Sequence, residues 1–145
     1  MKSAKLSIII LAAMAITSSV QAGDGYHMKC ETNACGFESQ VTFGGGMFFQ
    51  QITGYCKKCN KFVYLSWTRE NIPESMKGSI KVRPRPVPLG EIWDGKTGKS
   101  ITIYSCPTCK GPFMEIKNPA ELAHCPACNK PGFAVDTSKP RMAID

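Results

Sequence analysis

The sequence predicts a small, mostly β protein: two modules of short antiparallel strands, stapled by cysteines and joined by a proline-rich connector. Three observations support this fold class. All eight cysteines fall into four close pairs, short apolar and aromatic runs recur around glycine turns, and prolines interrupt the middle of the chain. Modules of about 40–50 residues bury too little apolar surface to fold without such staples.

The first 22 residues have the pattern of a cleaved secretory signal peptide. Lys2 and Lys5 precede an apolar stretch, and small residues at 20 and 22 suit a signal peptidase. The apolar stretch is shorter than the roughly 18–20 residues that a membrane span needs. We therefore expect export to the periplasm, with no stable membrane anchor after cleavage.

Residues 23–67 form the first predicted module. Its entry, residues 23–29, is expected to be loose, and three strands are expected after it. The first two flank the glycine turn at 44–46 as a hairpin. The third covers residues 61–67, where side chains alternate between two faces. Two cysteine pairs frame these strands: Cys30 and Cys35, then Cys56 and Cys59.

Residues 68–90 form the predicted connector, because prolines at 73, 84, 86 and 88 oppose regular structure. We interpret it as a semi-rigid spacer between the modules. The second module, residues 91–136, begins with a hairpin around Asp94 and Gly95. Residues 137–145 are expected to form a tail. The second module contains the other two cysteine pairs: Cys106 and Cys109, then Cys125 and Cys128.

The spacing of the cysteines favours metal binding. Two residues between cysteines let one tight turn aim both sulfurs at the same point, and four thiolates complete a tetrahedral zinc site. We expect each module to hold one divalent ion, zinc first and iron as the alternative, with four ligands from the same half. The predicted ligands are Cys30, Cys35, Cys56 and Cys59 in one site, and Cys106, Cys109, Cys125 and Cys128 in the other. If the two modules share a core, the combination of the cysteine pairs stays open.

We call each tight turn that carries a cysteine pair a knuckle. The order of knuckles and strands over residues 30–67 resembles a zinc ribbon, and residues 104–136 resemble a zinc ribbon or a rubredoxin-like module. Rubredoxins favour glycine directly after the second cysteine of each pair. Lys110 and Asn129 stand there in this chain, which weakens the resemblance to an iron electron-transfer site. His27, three residues before Cys30, is a conceivable substitute ligand.

Two other interpretations of the cysteines remain open. Export to an oxidising compartment would allow disulfides, although bridges usually join cysteines that lie farther apart in sequence. The pairs in the second half could instead be redox-active dithiols, but the βαβ pattern expected around such a motif is missing from the sequence.

Charge bears on the expected partner. Without Lys2 and Lys5 the mature chain carries about +5, and eight thiolates on two divalent ions would bring it near +1. We therefore expect no nucleic-acid partner. We expect the lysines near the cysteines to offset thiolate charge, and a patch for an anionic partner is the alternative. These lysines are Lys57, Lys58, Lys61, Lys110 and Lys130. The function expected is a non-enzymatic periplasmic module that binds another protein; a thiol-redox or rubredoxin-like electron-transfer protein is the alternative.

Overall fold

The computed structural model describes residues 23–144, and short antiparallel strands dominate this part of the chain, which confirms the small, mostly β fold. A single-turn helix, α1 (Glu74–Lys77), and a 3-10 turn (Pro119–Glu121) accompany the strands. The strands are β1 (Gly23–Cys30), β2 (Glu38–Phe43), β3 (Phe49–Cys56), β4 (Lys61–Thr68), β5 (Gly90–Asp94), β6 (Lys99–Ser105), β7 (Pro112–Ile116), β8 (Phe133–Val135) and β9 (Met142–Ile144).

The predicted signal peptide, residues 1–22, lies outside the described residues. Within residues 23–144, every helix is too short to span a bilayer.

β1 is the centre of the first sheet. β2 pairs along one edge of β1, while β8 and β9 share its other edge. Residues 23–29 therefore belong to a central strand, and the expectation of a loose entry is wrong. The expected tail, residues 137–145, likewise contains β9. Local sequence gives little sign of β1, which begins with two glycines in three residues; pairing with distant strands decides its conformation.

The second sheet has the strand order β4-β3-β7-β6-β5, so it contains strands from both halves of the sequence. The junction is the pairing of β3 with β7, where Thr53 lies opposite Ile116 and Gly54 opposite Glu115. A Cβ atom at Gly54 would overlap the ring of Phe113. Glycine at this position therefore lets β7 and its aromatic side chain approach β3 closely.

The glycine turn at 44–46 joins strands that enter different sheets. β2 pairs with β1 and β3 pairs with β4, and only an isolated bridge links Gly44 to Gln51. The predicted β2–β3 hairpin is therefore wrong. The predicted hairpin of β5 and β6 is confirmed, and Asp94 closes its turn by accepting hydrogen bonds from Lys96 and Thr97.

The main core lies between the two sheets. Phe62 of β4 stacks with Phe133 of β8, with ring centroids 6.3 Å apart. Met28 and Val41 of the first sheet are buried in the same cluster. A second, smaller cluster covers the opposite face of the second sheet, and it contains Ile52, Val63, Tyr104 and Phe113.

The connector is fastened at both ends to the second sheet. The Thr68 N–H donates to the Arg83 carbonyl oxygen at 3.0 Å, and the Leu89 N–H donates to the Ile103 carbonyl oxygen at 2.8 Å. The connector thus runs from β4, at one edge of the second sheet, to the β5–β6 hairpin at the other edge. The connector does not separate two self-contained sheets, because the strands of the two halves pair with each other.

Candidate metal centres

The eight cysteines converge in two groups of four, and each group takes one pair from each half of the chain. The prediction that the four cysteines of one half share one metal is therefore wrong, although the eight predicted residues are the ones brought together. We call the group nearer the chain termini the outer site; it comprises Cys30, Cys35, Cys125 and Cys128. The inner site comprises Cys56, Cys59, Cys106 and Cys109.

Strand pairing explains this exchange of partners. Cys30 ends β1 and lies opposite Phe133 of β8. The outer site therefore forms at the end of the first sheet where β1 pairs with β8. Cys56 ends β3, and Cys106 directly follows β6. Because β7 lies between β3 and β6 in the second sheet, these two chain segments meet on the face of the smaller cluster.

All four knuckles share one backbone feature. The residue after the second cysteine has a positive φ in each: Gly36 (60°), Asn60 (52°), Lys110 (61°) and Asn129 (58°). This left-handed conformation turns the chain back after the second sulfur; glycine adopts it freely and asparagine tolerates it, while lysine does so at a cost. Lys110 and Asn129 therefore replace the glycine that rubredoxins favour, but they keep the left-handed backbone conformation that glycine would adopt.

Hydrogen bonds close the turns. In the knuckle that starts at Cys106, the Lys110 N–H donates to the Cys106 carbonyl oxygen at 3.0 Å. The Asn129 N–H makes the equivalent bond to Cys125 at 2.7 Å. The knuckle of Cys30 and Cys35, which has four residues between its cysteines instead of two, closes differently. The Cys35 N–H donates to the Thr32 carbonyl oxygen, and the Cys30 N–H donates to the Phe37 carbonyl oxygen. Its two additional residues form part of this turn, and both sulfurs still reach the outer site.

The sulfur separations fit a tetrahedral metal site. In the outer site, Cys30 and Cys128 sulfurs are 3.8 Å apart, and those of Cys35 and Cys125 are 3.7 Å apart. The sulfur separations of the inner site are 3.5 Å for Cys56–Cys109 and 3.9 Å for Cys59–Cys106.

A zinc–sulfur bond of about 2.3 Å gives a regular tetrahedron with sulfur–sulfur edges of about 3.8 Å. Disulfide-bonded sulfurs lie about 2.05 Å apart, and all eight cysteines are free thiols in the structure. The donor set, the number of donors and their spacing therefore fit one metal ion in each site.

Proton affinity differs within the inner site. Burial raises the pKa of Cys106, but backbone N–H groups of Cys109 and Thr108 that donate to its sulfur lower the pKa to about 6 overall. Hydrogen bonding with Cys109, together with burial, raises the pKa of Cys59 to about 12. Without metal, the site therefore combines a sulfur that ionises easily with one that keeps its proton.

The outer site shows the same division. The Thr32 side chain, which hydrogen-bonds the sulfur, lowers the pKa of Cys30 to about 7. A backbone N–H of Phe37 lowers the pKa of Cys35, but burial and the three neighbouring thiols raise it to about 12 overall. Metal ligands must be thiolates, so a metal entering either site displaces protons.

Basic side chains gather at the inner site. Lys57 and Lys58 lie inside one of its knuckles, and Lys110 directly follows Cys109. A Cβ atom placed on Gly111 would lie 3.3 Å from the Cys109 sulfur and 3.7 Å from Cδ of Lys58. The Lys58 side chain therefore reaches from the first half of the chain to a ligand of the second half, where its cation can offset thiolate charge.

The histidines do not join either group. Within residues 23–144, the groups of clustered metal-ligating side chains contain cysteines alone. His27 lies in β1 opposite Gln40 of β2, and His124 forms an isolated bridge with Pro131. The structure thus leaves His27 outside the ligand set.

Comparison of the chain with protein-family models, with curated proteins and with solved structures finds no match. The two sets of four sulfurs are consistent with zinc-ribbon-like modules, and the argument for function rests on their geometry.

Proposed function

We propose that this chain is an exported zinc protein of the periplasm, in which two four-cysteine sites hold together a non-enzymatic module that binds another periplasmic protein. The observation behind the proposal is that all eight cysteines enter two complete groups of four. Four thiolates saturate tetrahedral zinc and leave no position for a reactive water. Such a site stabilises structure and does not generate a metal-bound nucleophile.

The crossed arrangement of the sites supports a structural role. A metal in the outer site would tie β1 to the chain beyond residue 124, and a metal in the inner site would tie β3 to the chain after β6. Both connections join segments that are distant in sequence. Since a site that is absent from the unfolded chain returns its binding energy as folding energy, zinc would stabilise the contact between the halves.

Native mass spectrometry of protein purified from the periplasm tests the proposal. We expect the chain without residues 1–22, two zinc ions per chain, and loss of the folded β spectrum on chelation with recovery on adding zinc to the reduced protein. A metal-free mass that has lost eight hydrogens would replace the proposal with the disulfide interpretation. Retention of residues 1–22 in the purified protein would contradict export with signal cleavage.

A rubredoxin-like iron protein is the second candidate, and the left-handed conformation of Lys110 and Asn129 favours it. The sequence argument against iron was the missing glycine at these positions, and the backbone adopts the conformation that glycine would favour. Colour distinguishes the two metals: four thiolates on iron give a red protein, and four on zinc give a colourless one. A red protein with reversible one-electron reduction would establish the iron alternative.

A further inference from the structure

Charge is strongly divided along this chain, although the total after removal of residues 1–22 is modest. Residues 57–110 contain eleven lysines and arginines but four aspartates and glutamates, a net charge of +7. The remaining residues, 23–56 and 111–145, contain five cationic and seven acidic side chains, a net charge of −2. A divalent metal on the four thiolates of the inner site, which include Cys56, would still leave residues 56–110 at +5.

The division in sequence is also a division in space. Residues 57–110 supply β4, β5 and β6, which include both edge strands of the second sheet, whereas the first sheet consists of β1, β2, β8 and β9. The cations in or beside the strands of the first sheet form ion pairs: Lys29 with Asp136, Lys139 with Glu38, and Arg141 with Asp24.

In residues 57–110, all of which the structure describes, one ion pair forms, between Lys77 and Glu74. The other ten cations of this segment have no carboxylate partner in the described part of the chain. An unneutralised basic surface of this kind attracts anionic groups more strongly than the net charge of the whole protein suggests.

Three of these cations line one groove of about 780 Å³, whose wall also includes Trp67, Met47 and one acidic residue, Glu70. They are Arg69, Arg83 and Arg85. The prolines at 84 and 86 alternate with two of the arginines and hold this part of the connector extended.

Aromatic rings position the guanidinium groups. The Arg85 guanidinium lies 5.6 Å from the ring centroid of Trp67, and that of Arg83 lies 5.1 Å from the ring centroid of Phe49. Arg83 also donates to the Ser66 hydroxyl at 2.7 Å. A guanidinium held against a ring presents its remaining N–H groups in fixed directions, and the fork of donors matches the two oxygens of a carboxylate.

We propose that this arginine groove binds an acidic, extended segment of a partner protein; the proposal deepens the binding function above and rests on it. Carboxylates suit the forked donors. Arg83 and Arg85 are two residues apart in an extended segment, which matches the spacing of alternate side chains in an extended partner chain.

A nucleic acid fits the groove less well. Single strands gain much of their affinity by stacking bases on free aromatic faces, and here arginines already lie over Trp67 and Phe49. A second copy of this chain is also a poor occupant, because Asp24, Glu38 and Asp136 of its acidic half are engaged in ion pairs.

The test is fluorescence anisotropy with the metal-loaded chain and a labelled extended peptide of alternating glutamate and valine. We expect binding that weakens as salt is added. In the double variant Arg83→Gln/Arg85→Gln, the dissociation constant should rise roughly tenfold or more, since two charge-assisted contacts are lost. The control variant Lys96→Gln/Lys99→Gln removes two cations of the β5–β6 hairpin, outside the groove, and should bind like the parent chain. Metal content and amide exchange of each variant verify that the fold is intact.

A third variant separates charge from geometry. Arg83→Lys/Arg85→Lys keeps both charges but loses the forks, and we expect affinity between those of the parent and the glutamine variant. The proposal is overturned if the peptide does not bind, if the glutamine variant binds as well as the parent, or if an oligothymidylate binds more tightly than the peptide. It is also overturned if sedimentation shows that the groove mediates self-association that the glutamine variant abolishes.

Failure of this proposal can be distinguished from failure of the proposed function. Photocrosslinking in the periplasm, with the probe placed at Asn71 in the wall of the groove, reports whether any partner protein is bound. A crosslinked partner together with a failed peptide titration would reject the acidic segment alone. If no crosslink forms at Asn71 or at other surface positions, the binding function is rejected as well.

Discussion

Cys56 and Cys109 are separated by 53 positions in sequence, yet their sulfur atoms lie 3.5 Å apart. This contact links the end of β3 to the knuckle that follows β6. The outer site makes a second such link, between Cys30 and Cys128. Because both sites join the halves, damage to one cysteine pair is expected to reach residues in the other half.

Cys125→Ser tests this coupling. The substitution removes one ligand of the outer site, whose other members include Cys30 and Cys35 in the first half. We expect amide protection to fall in β1 and β2 as well as around residue 125, while β3 and β4 keep more of their protection through the inner site. Hydrogen exchange with mass spectrometry measures this pattern.

The control is Ser79→Ala, an exposed change outside both sites, which should leave the exchange pattern unchanged. Loss of protection limited to residues 91–136 would contradict the crossed sites and favour two independent modules.

The sequence identified the eight cysteines that the structure brings together, but it grouped them wrongly. A pair such as Cys106 and Cys109 is a local signal, because the turn between the sulfurs depends on a few adjacent residues. Which pairs share a metal depends on the pairing of β3 with β7 and of β1 with β8, and such long-range pairing has no local signature. The β5–β6 hairpin was predictable since Asp94 and its turn lie within one short segment.

β1 was missed for a related reason. Its sequence has two glycines and few residues with high strand propensity, and three other strands hold it in place. The uneven distribution of charge can be counted from the sequence, but the sequence does not show which charged side chains are already paired. Only the structure shows that Arg83 and Arg85 lie on aromatic rings beside a groove, while acidic residues of the first sheet are already paired.

Zinc binding should release protons at neutral pH. The raised pKa of Cys59, about 12, keeps its thiol protonated in the metal-free fold, whereas the lowered pKa of Cys106, about 6, makes that sulfur largely ionised. Since zinc binds thiolates, affinity is expected to fall as the pH falls.

Titration calorimetry of the reduced protein, in buffers that differ in ionisation enthalpy, counts the protons released. Variation of the apparent binding enthalpy with the buffer is the expected result. No variation, together with zinc affinity that does not depend on pH, would show that thiols do not supply the ligands. A chain with all eight cysteines changed to serine serves as the blank.

Gly54→Ala should destabilise the junction of the two halves. The added Cβ would overlap the ring of Phe113 and the nearby backbone of β7. Overpacking of this kind costs about 1–3 kcal/mol in free energy of unfolding. Urea unfolding of the zinc-loaded protein measures the loss, and exchange should become faster in β3 and β7.

Gly95→Ala is the matched control for this glycine. A Cβ atom there meets no atom within 4 Å, and its φ lies outside the left-handed region, so little change in stability is expected. Equal stability of Gly54→Ala and the parent would mean that β7 lies farther from β3 than the structure places it.

Lys110→Gly should retain zinc in the inner site better than Lys110→Ala, because both variants lose the same cation and position 110 has a left-handed conformation with φ of 61°. Glycine adopts this conformation without the steric cost that a side chain adds, about 1–2 kcal/mol.

The opposite change at the outer site, Gly36→Ala, should weaken zinc retention there through the backbone alone, since φ is 60° and a Cβ atom would meet nothing within 4 Å. Zinc loss to a chromogenic chelator gives the comparison: slower loss from the inner site in Lys110→Gly than in Lys110→Ala, and faster loss from the outer site in Gly36→Ala than in the parent chain. If both substitutions change the rates in the same direction, a shared left-handed turn does not control zinc retention at these knuckles.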